Sequence, residues 1–167
     1  MKHANLINMG LFQITWFACV AGGSLWGLGA LCLMLGLSWK TNSLVADLTL
    51  GAGTAITGFL ADTLWIYAGV LDYFGAVVAP LWSVILWMGI GLSLNHGLAF
   101  FKMRPVVGGL LAAGAAPVCY LSGQALGAVI VPDSPLLASV AVTWFVLFWL
   151  AFRLLDVRQV AAPELET

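Results

Sequence analysis

The sequence predicts an all-α membrane protein: a polytopic six-helix transmembrane bundle, both termini cytoplasmic, with a tight hairpin between helices 1 and 2. Three observations predict it. Of the 167 residues 62% are hydrophobic and only 8% charged, with a mean hydropathy of +1.05, a balance that would leave large apolar patches on any surface facing water. Apolar stretches of the ~20 residues needed to cross a bilayer alternate with short polar breaks. When the chain is threaded through six spans, all 6 Lys and Arg residues fall on one side, as cations flanking membrane helices do on the cytoplasmic face.

The elements follow in order. From Leu6 to Trp39 there is no charged residue, too long a run for one span and suited to two short ones. Gly22-Gly23-Ser24 marks the reversal, because glycine reaches positive φ at little steric cost; the helices cover 5–21 and 24–39. Span three, 44–71, starts behind Thr41-Asn42-Ser43, whose oxygens can serve the first free amides of a helix, and closes at Asp72-Tyr73. Span four, 80–101, opens on Pro80, suited to a first turn, and stops at Lys102-Met103-Arg104. Span five covers 106–130. A break at Val131-Pro132-Asp133-Ser134-Pro135 precedes span six, 136–155. Residues 1–158 form a single membrane domain and 159–167 a flexible cytoplasmic tail.

Charge tests this count independently. Lys2, Lys40, Lys102, Arg104, Arg153 and Arg158 occupy the N-terminus, the second and fourth loops and the C-terminal end. The opposite loops hold Gly-Gly-Ser and the Asp72 and Asp133 regions, without Lys or Arg. Fusing the first two spans would put Lys2 and Lys40 on opposite faces. With no basic stripe there is no footprint for nucleic acid. Cys19, Cys32 and Cys119 show no metal or disulfide spacing and read as packing residues; no metal or cofactor is expected. The start resembles a signal peptide, but no small-residue cleavage site follows the apolar run.

Helices in lipid associate through small residues that let backbones approach. Span three carries Gly51, Thr54, Ala55, Gly58 and Asp62 on one stripe, and span five Gly108, Ala112, Ala116, Gly123 and Gly127. These two spans are therefore expected inside, with spans one and six facing lipid. Pro117 should kink span five, since it cannot bond back to the Ala113 carbonyl.

Depth sorts the polar groups into two layers. Gln13, Asn95 and His96 fall ~7–11 Å from the cytoplasmic face, and Asp62, Tyr120 and Gln124 at ~21–27 Å. A carboxylate inside a span is expensive and points either to function in a wet cleft or to a structural hydrogen bond, here from Asp62 to Tyr120 or Gln124. His96 has no acidic residue near it in the sequence, so it reads as a neutral imidazole tying span four to Gln13 or Asn8. Trp16, Trp82 and Trp87 are candidates for a ligand pocket, although interfacial anchoring is the ordinary fate of such residues. Asp47 in the first turn of span three suits the helix dipole and needs no further role. No phosphate-binding loop, HExxH helix or nucleophile elbow occurs.

Several landmarks together resemble a known family: Asn5 with Phe12-Gln13 and Trp16-Phe17, the mid-span Asp62, Pro80-Leu81-Trp82 with Leu86-Trp87, and Gly114 with Pro117, Tyr120, Gly123 and Gly127. They are similar to those of the bacterial membrane family known as domain of unknown function 2878, over about Asn5 to Phe152. Ala116 departs from the glycine that precedes the proline in that family. The resemblance implies an inner-membrane protein without an established activity, whose relatives sit in gene neighbourhoods for fatty-acid modification and for light or oxidative stress. The leading expectation is accordingly an accessory protein that binds membrane lipid, a membrane-protein partner or a second copy of itself, through a cleft between spans three, four and five. A small-solute or proton-coupled transporter gated by Asp62 and His96 is a second expectation, and an intramembrane lipid-modifying enzyme a third.

Overall fold

The computed structural model describes residues 2–132 and 134–161, with side chains over 3–132 and 135–156. Asp133, the side chains of Lys2 and Arg158, and residues 162–167 of the expected tail lie outside the described residues. Helix α1 is Lys2–Lys40, α2 Leu44–Tyr67, α3 Leu81–Gly91, α4 Pro105–Ala125 and α5 Leu137–Ala161, with 3-10 turns at Ala99–Met103 and Ser134–Leu136. The described residues thus form five α-helices where six were expected, and the tail expected from residue 159 begins as the last turn of α5. Four of the helices are long and apolar enough to cross a membrane: His3–Lys40, Leu44–Tyr67, Pro105–Ala125 and Leu137–Asp156.

The two helices expected at 5–21 and 24–39 abut within α1 at Gly23, which alone leaves helical geometry, at φ 73° and ψ −164°. That one residue turns the chain back on itself. Thr15 Oγ1 lies 3.4 Å from Met34 Sδ, whereas in a straight helix the two positions would be about 28 Å apart. Cys19 likewise meets Gly27 across the turn, and Cys19, Leu31 and Met34 share one buried cluster. Gly22 and Ser24, expected to form the turn with Gly23, stay helical.

The span expected over 80–101 is α-helical only as far as Gly91. Beyond it the chain advances in tighter turns, with Ser93 N bonded to Ile90 O at 2.9 Å, Leu94 N to Gly91 O at 3.2 Å and His96 N to Ser93 O at 3.0 Å. The cause lies in the polar run Ser93, Asn95 and His96: Ser93 Oγ bonds back to the Gly89 carbonyl at 2.9 Å, Asn95 and His96 reach Asp47 of α2, and such side-chain bonds compete with the helical ladder. Asn8 of α1 bridges the break: its Nδ2 donates to the Leu92 carbonyl and its Oδ1 accepts from the Gly97 amide, each at 3.2 Å. Irregular backbone survives in an apolar medium only where protein satisfies it in this way.

At the other end, α2 stops at Tyr67 rather than Leu71, and α4 at Ala125 rather than Ile130. Gly127, expected to pack helices, adopts φ 75° with no neighbour within 4 Å of a Cβ placed there, so it ends α4 as a left-handed turn residue. The loops that follow these helices pair through an antiparallel bridge between Asp72 and Ile130, with N–H···O distances of 2.9 and 2.8 Å. Val70, Leu71, Tyr73, Val129 and Val131 are buried there with Trp65 and Tyr120.

Neither α2 nor α4 is the interior helix. The apolar window of α2 is 22% buried, below the 33% of α1. The short α3 is the hub, packed on α2 and α1 and touching α5 through Trp87, whose ring lies 5.2 Å from that of Trp144. Gly58 makes this possible, because a Cβ there would run into the Trp87 ring. Gly51 faces Met88 in the same seam, and Thr54 Oγ1 donates to the Trp87 carbonyl at 2.8 Å. Gly123 contacts Val129 of its own loop instead of a neighbouring helix. α4 packs on α5 and remains helical through Pro117.

Candidate functional site

Two buried carboxylates on α2 organise the polar interior. Asp62 is 1% exposed and is surrounded by neutral donors. Its Oδ1 accepts from Tyr120 OH at 2.7 Å; its Oδ2 accepts from Ser83 Oγ, from Trp87 Nε1 at 3.3 Å and from Tyr73 OH at 3.4 Å. Ser83 and Trp87 are four residues apart on α3, so one helix face delivers both. Tyr73 comes from the loop over the helix ends and Tyr120 from α4. This set supplies the hydrogen bonds a buried carboxylate needs, and among the described residues no cation pairs with it. Burial, and after it the charge of Asp62, holds the Tyr73 phenol well above its ordinary pKa.

Asp47, fully buried, builds the other cluster. Its Oδ2 accepts from Ser43 Oγ at 2.6 Å and lies 2.7 Å from His96 Nε2, and its Oδ1 accepts from Asn95 Nδ2 at 3.0 Å. Lys102 Nζ donates to Asn95 Oδ1 at 2.7 Å. Burial lowers the pKa of the Lys102 ammonium, and the negative charge of Asp47 opposes that shift. Ser43 Oγ is 3.1 Å from the same His96 nitrogen that meets Asp47. The imidazole therefore does not lie between acid and hydroxyl, as a nucleophilic relay requires. This cluster ties the start of α2 to the broken end of α3.

An apolar slot of about 420 Å³ runs beside the Asp62 cluster. One wall is the first arm of α1, with Phe12, Gln13, Trp16 and Phe17; the facing wall is α4, from Gly108 to Gly123, and the floor holds Trp82, Trp87, Trp144 and Phe148. Gly108 to Gly123 spans ~22 Å of helix, so the volume is drawn out into a slot. α1 packs on α3 and α4 packs on α5, with no comparable packing between α1 and α4 among the described residues. Phe17 is 57% exposed, Leu111 57% and Val118 63%, and all three line the slot. Its mouth thus opens sideways between α1 and α4, through the apolar flank of the bundle. A volume of this size is that of an ordinary ligand site, ~300–1,000 Å³.

A family profile matches residues 5–150. The chain belongs to the family described as protein of unknown function (DUF2878). No curated protein and no solved structure matches it. Of the residues on which the resemblance rested, Phe12, Gln13, Trp16, Phe17, Asp62, Trp82, Leu86, Trp87, Tyr120 and Gly123 line the slot, whereas Asn5, Pro80, Leu81, Gly114, Pro117 and Gly127 do not.

The expected site residues divide. Asp62 and Tyr120 meet as anticipated. Gln124 does not join them: it is exposed and its Oε1 accepts from Val131 N at 2.6 Å, closing the turn after α4. Gln13 is exposed at the slot mouth, away from His96. Asn95 and His96 meet Asp47, which corrects two readings: His96 does have an acidic partner, and Asp47 does more than suit a helix dipole. Asn8 bridges the broken backbone rather than the imidazole. The cleft expected between spans three, four and five is walled instead by α1, α3, α4 and α5, with Asp62 as the contribution of α2, and Trp16, Trp82 and Trp87 line it. Sequence reasoning missed Tyr73 and Ser83 around Asp62, and Lys102 beside Asn95. Asp47 was within reach, since it precedes Gly51 by one helical turn on the Gly51–Gly58–Asp62 stripe.

Proposed function

We propose that this protein is a six-pass inner-membrane protein with both termini cytoplasmic, which holds a membrane lipid in the slot between α1 and α4. The observation that carries the reading is the slot itself: a laterally open, aromatic-lined cavity of about 420 Å³ that reaches a buried carboxylate. Lipid chains are at high concentration at such a mouth, and entry from the bilayer requires no apolar surface to pass through water. Six passes follow from counting the two arms of α1 separately at Gly23 and α3 with its 3-10 extension as one crossing. Lys40, Lys102, Arg104 and Arg153 then share one face, which supports the cytoplasmic assignment. The lipid reading is favoured over a proton-coupled path from Asp62 to His96, because the two belong to separate clusters and the slot between the helices is lined with hydrocarbon.

Two measurements test this. Protein extracted in native nanodiscs should retain lipid through delipidating washes, detected by mass spectrometry of the intact complex, and Ala115→Phe, which fills the slot from α4, should lose it. Equal retention by both proteins would end the proposal. For the crossing count, a cysteine at Asp72 should react with a membrane-impermeant reagent applied outside cells while one at Met103 stays unlabelled; the reverse pattern refutes the orientation.

A further inference from the structure

We infer that the slot takes a single hydrocarbon chain, laid straight along α4, and reads that chain rather than the head attached to it. The inference rests on the lipid-binding reading of the same slot and names the class of lipid. From Gly108 to Ser122, α4 lines the slot at steps of three and four residues, through Leu111, Ala115 and Val118, and Gly123 continues the strip. Positions so spaced form one face of a helix, which makes the cavity a straight strip ~22 Å long. Spread over that length, 420 Å³ leaves a mean section of about 20 Å². One extended polymethylene chain fills such a section, whereas two chains side by side or a fused-ring lipid need more room. In an extended chain each bond advances ~1.2 Å, as three backbone bonds advance ~3.6 Å per residue, so the strip holds about 18 carbons.

The walls fix where each end of the chain lies. Tyr73 and Val129 line the end near Asp62, beneath the loops bridged at Asp72 and Ile130, and stop the chain there. The other end reaches Gly108, ~5 Å from the start of α4, where a head leaving the side mouth meets the boundary that carries Lys102 and Arg104. Within the slot nothing is left to recognise a head. No Lys, Arg or His lines it. The buried polar side chains on its wall are Asp62, Tyr73, Ser83 and Tyr120, with the Trp87 indole, and they bond to one another at Asp62. The rest of the wall is chiefly aromatic and aliphatic, and it holds a chain through many weak contacts whose sum grows with the chain's length.

The test uses full-length protein in nanodiscs and single-chain lipids brominated at the chain tip, in a length series made with a phosphocholine head and again with a maltoside head, beside a brominated sterol. Trp82, Trp87 and Trp144 line the slot, so bromine inside it quenches their fluorescence and saturable quenching reports occupancy. Affinity is expected to rise with chain length to about 18 carbons and no further, a chain of that length binding about ten-fold more tightly than one half as long. At matched length the two heads should agree within about three-fold, and the sterol should not quench saturably. Ala115→Phe should abolish saturable quenching by every chain. A sterol that binds as well as the chains, an affinity set by the head, or one indifferent to length overturns the single-chain inference and leaves the slot as a lipid site. Absence of saturable quenching by any chain overturns it as well, and takes the lipid reading with it when wild-type protein retains no more lipid than Ala115→Phe.

Discussion

The two carboxylates of α2 face the same side of one helix and are both buried, yet they live in opposite chemistries. Asp62 is held by two tyrosines, a serine and an indole. Asp47 is held by an imidazole, an amide and a serine, with a lysine one residue further out. The Asp62 end is closed over by the bridged loops and adjoins the slot; the Asp47 end borders the basic residues and carries the broken helix. The difference teaches that burial alone does not mark a binding site. The Asp47 cluster makes the fold's own connections, since it ties the start of α2 to the broken end of α3, whereas the Asp62 cluster adjoins unfilled space.

Removing each acid should separate the two. Asp62→Ala leaves buried donors from three elements without an acceptor in an apolar surround, and should cost about 3 kcal/mol or more, read as the midpoint shift in denaturant unfolding of the detergent-solubilised protein. Asp47→Ala should cost less, about 2 kcal/mol, because water from the basic end can reach the freed groups. Equal losses would dissolve the distinction between a sealed cluster and one near solvent. Asn8→Ala, which strips partners from Leu92 and Gly97, should cost about 1–2 kcal/mol and raise hydrogen exchange at residues 92–98 without touching probe binding. The smallest effect is expected from Gly127→Ala, about 1 kcal/mol for an L-residue at positive φ, with faster exchange confined to the bridged loops. A loss of lipid retention in Asn8→Ala, or none in Asp62→Ala, would mean that the functional end has been assigned the wrong way round.

Much of the fold was legible because membrane helices are specified by solvent rather than by partners. Mean hydropathy and the one-sided cations foretold apolar helices, and Gly22-Gly23 foretold the reversal at Gly23. The rest was hidden for physical reasons. Periodicity does not reveal that Ser93, Asn95 and His96 would forgo helical bonds, because that depends on Asn8 and Asp47 arriving from other helices. Asp62 and Tyr120 could be paired by depth, but depth does not fix rotation about the helix axis, and so Gln124 was grouped with them while Ser83 was missed. The slot was the least legible feature, since a cavity exists between α1 and α4 and belongs to no single stretch of chain.

Asn8 reaches its partners across sequence separations of 84 and 89 residues. During synthesis the first arm of α1 emerges long before Leu92 and Gly97 leave the ribosome, so the Asn8 amide side chain waits without these partners until the segment after α3 arrives. The N-terminus is then fastened late, by a strut from the segment that would otherwise unravel. Chains truncated ahead of residue 92 should accordingly present an unsecured leading arm, a ready substrate for membrane quality-control proteases.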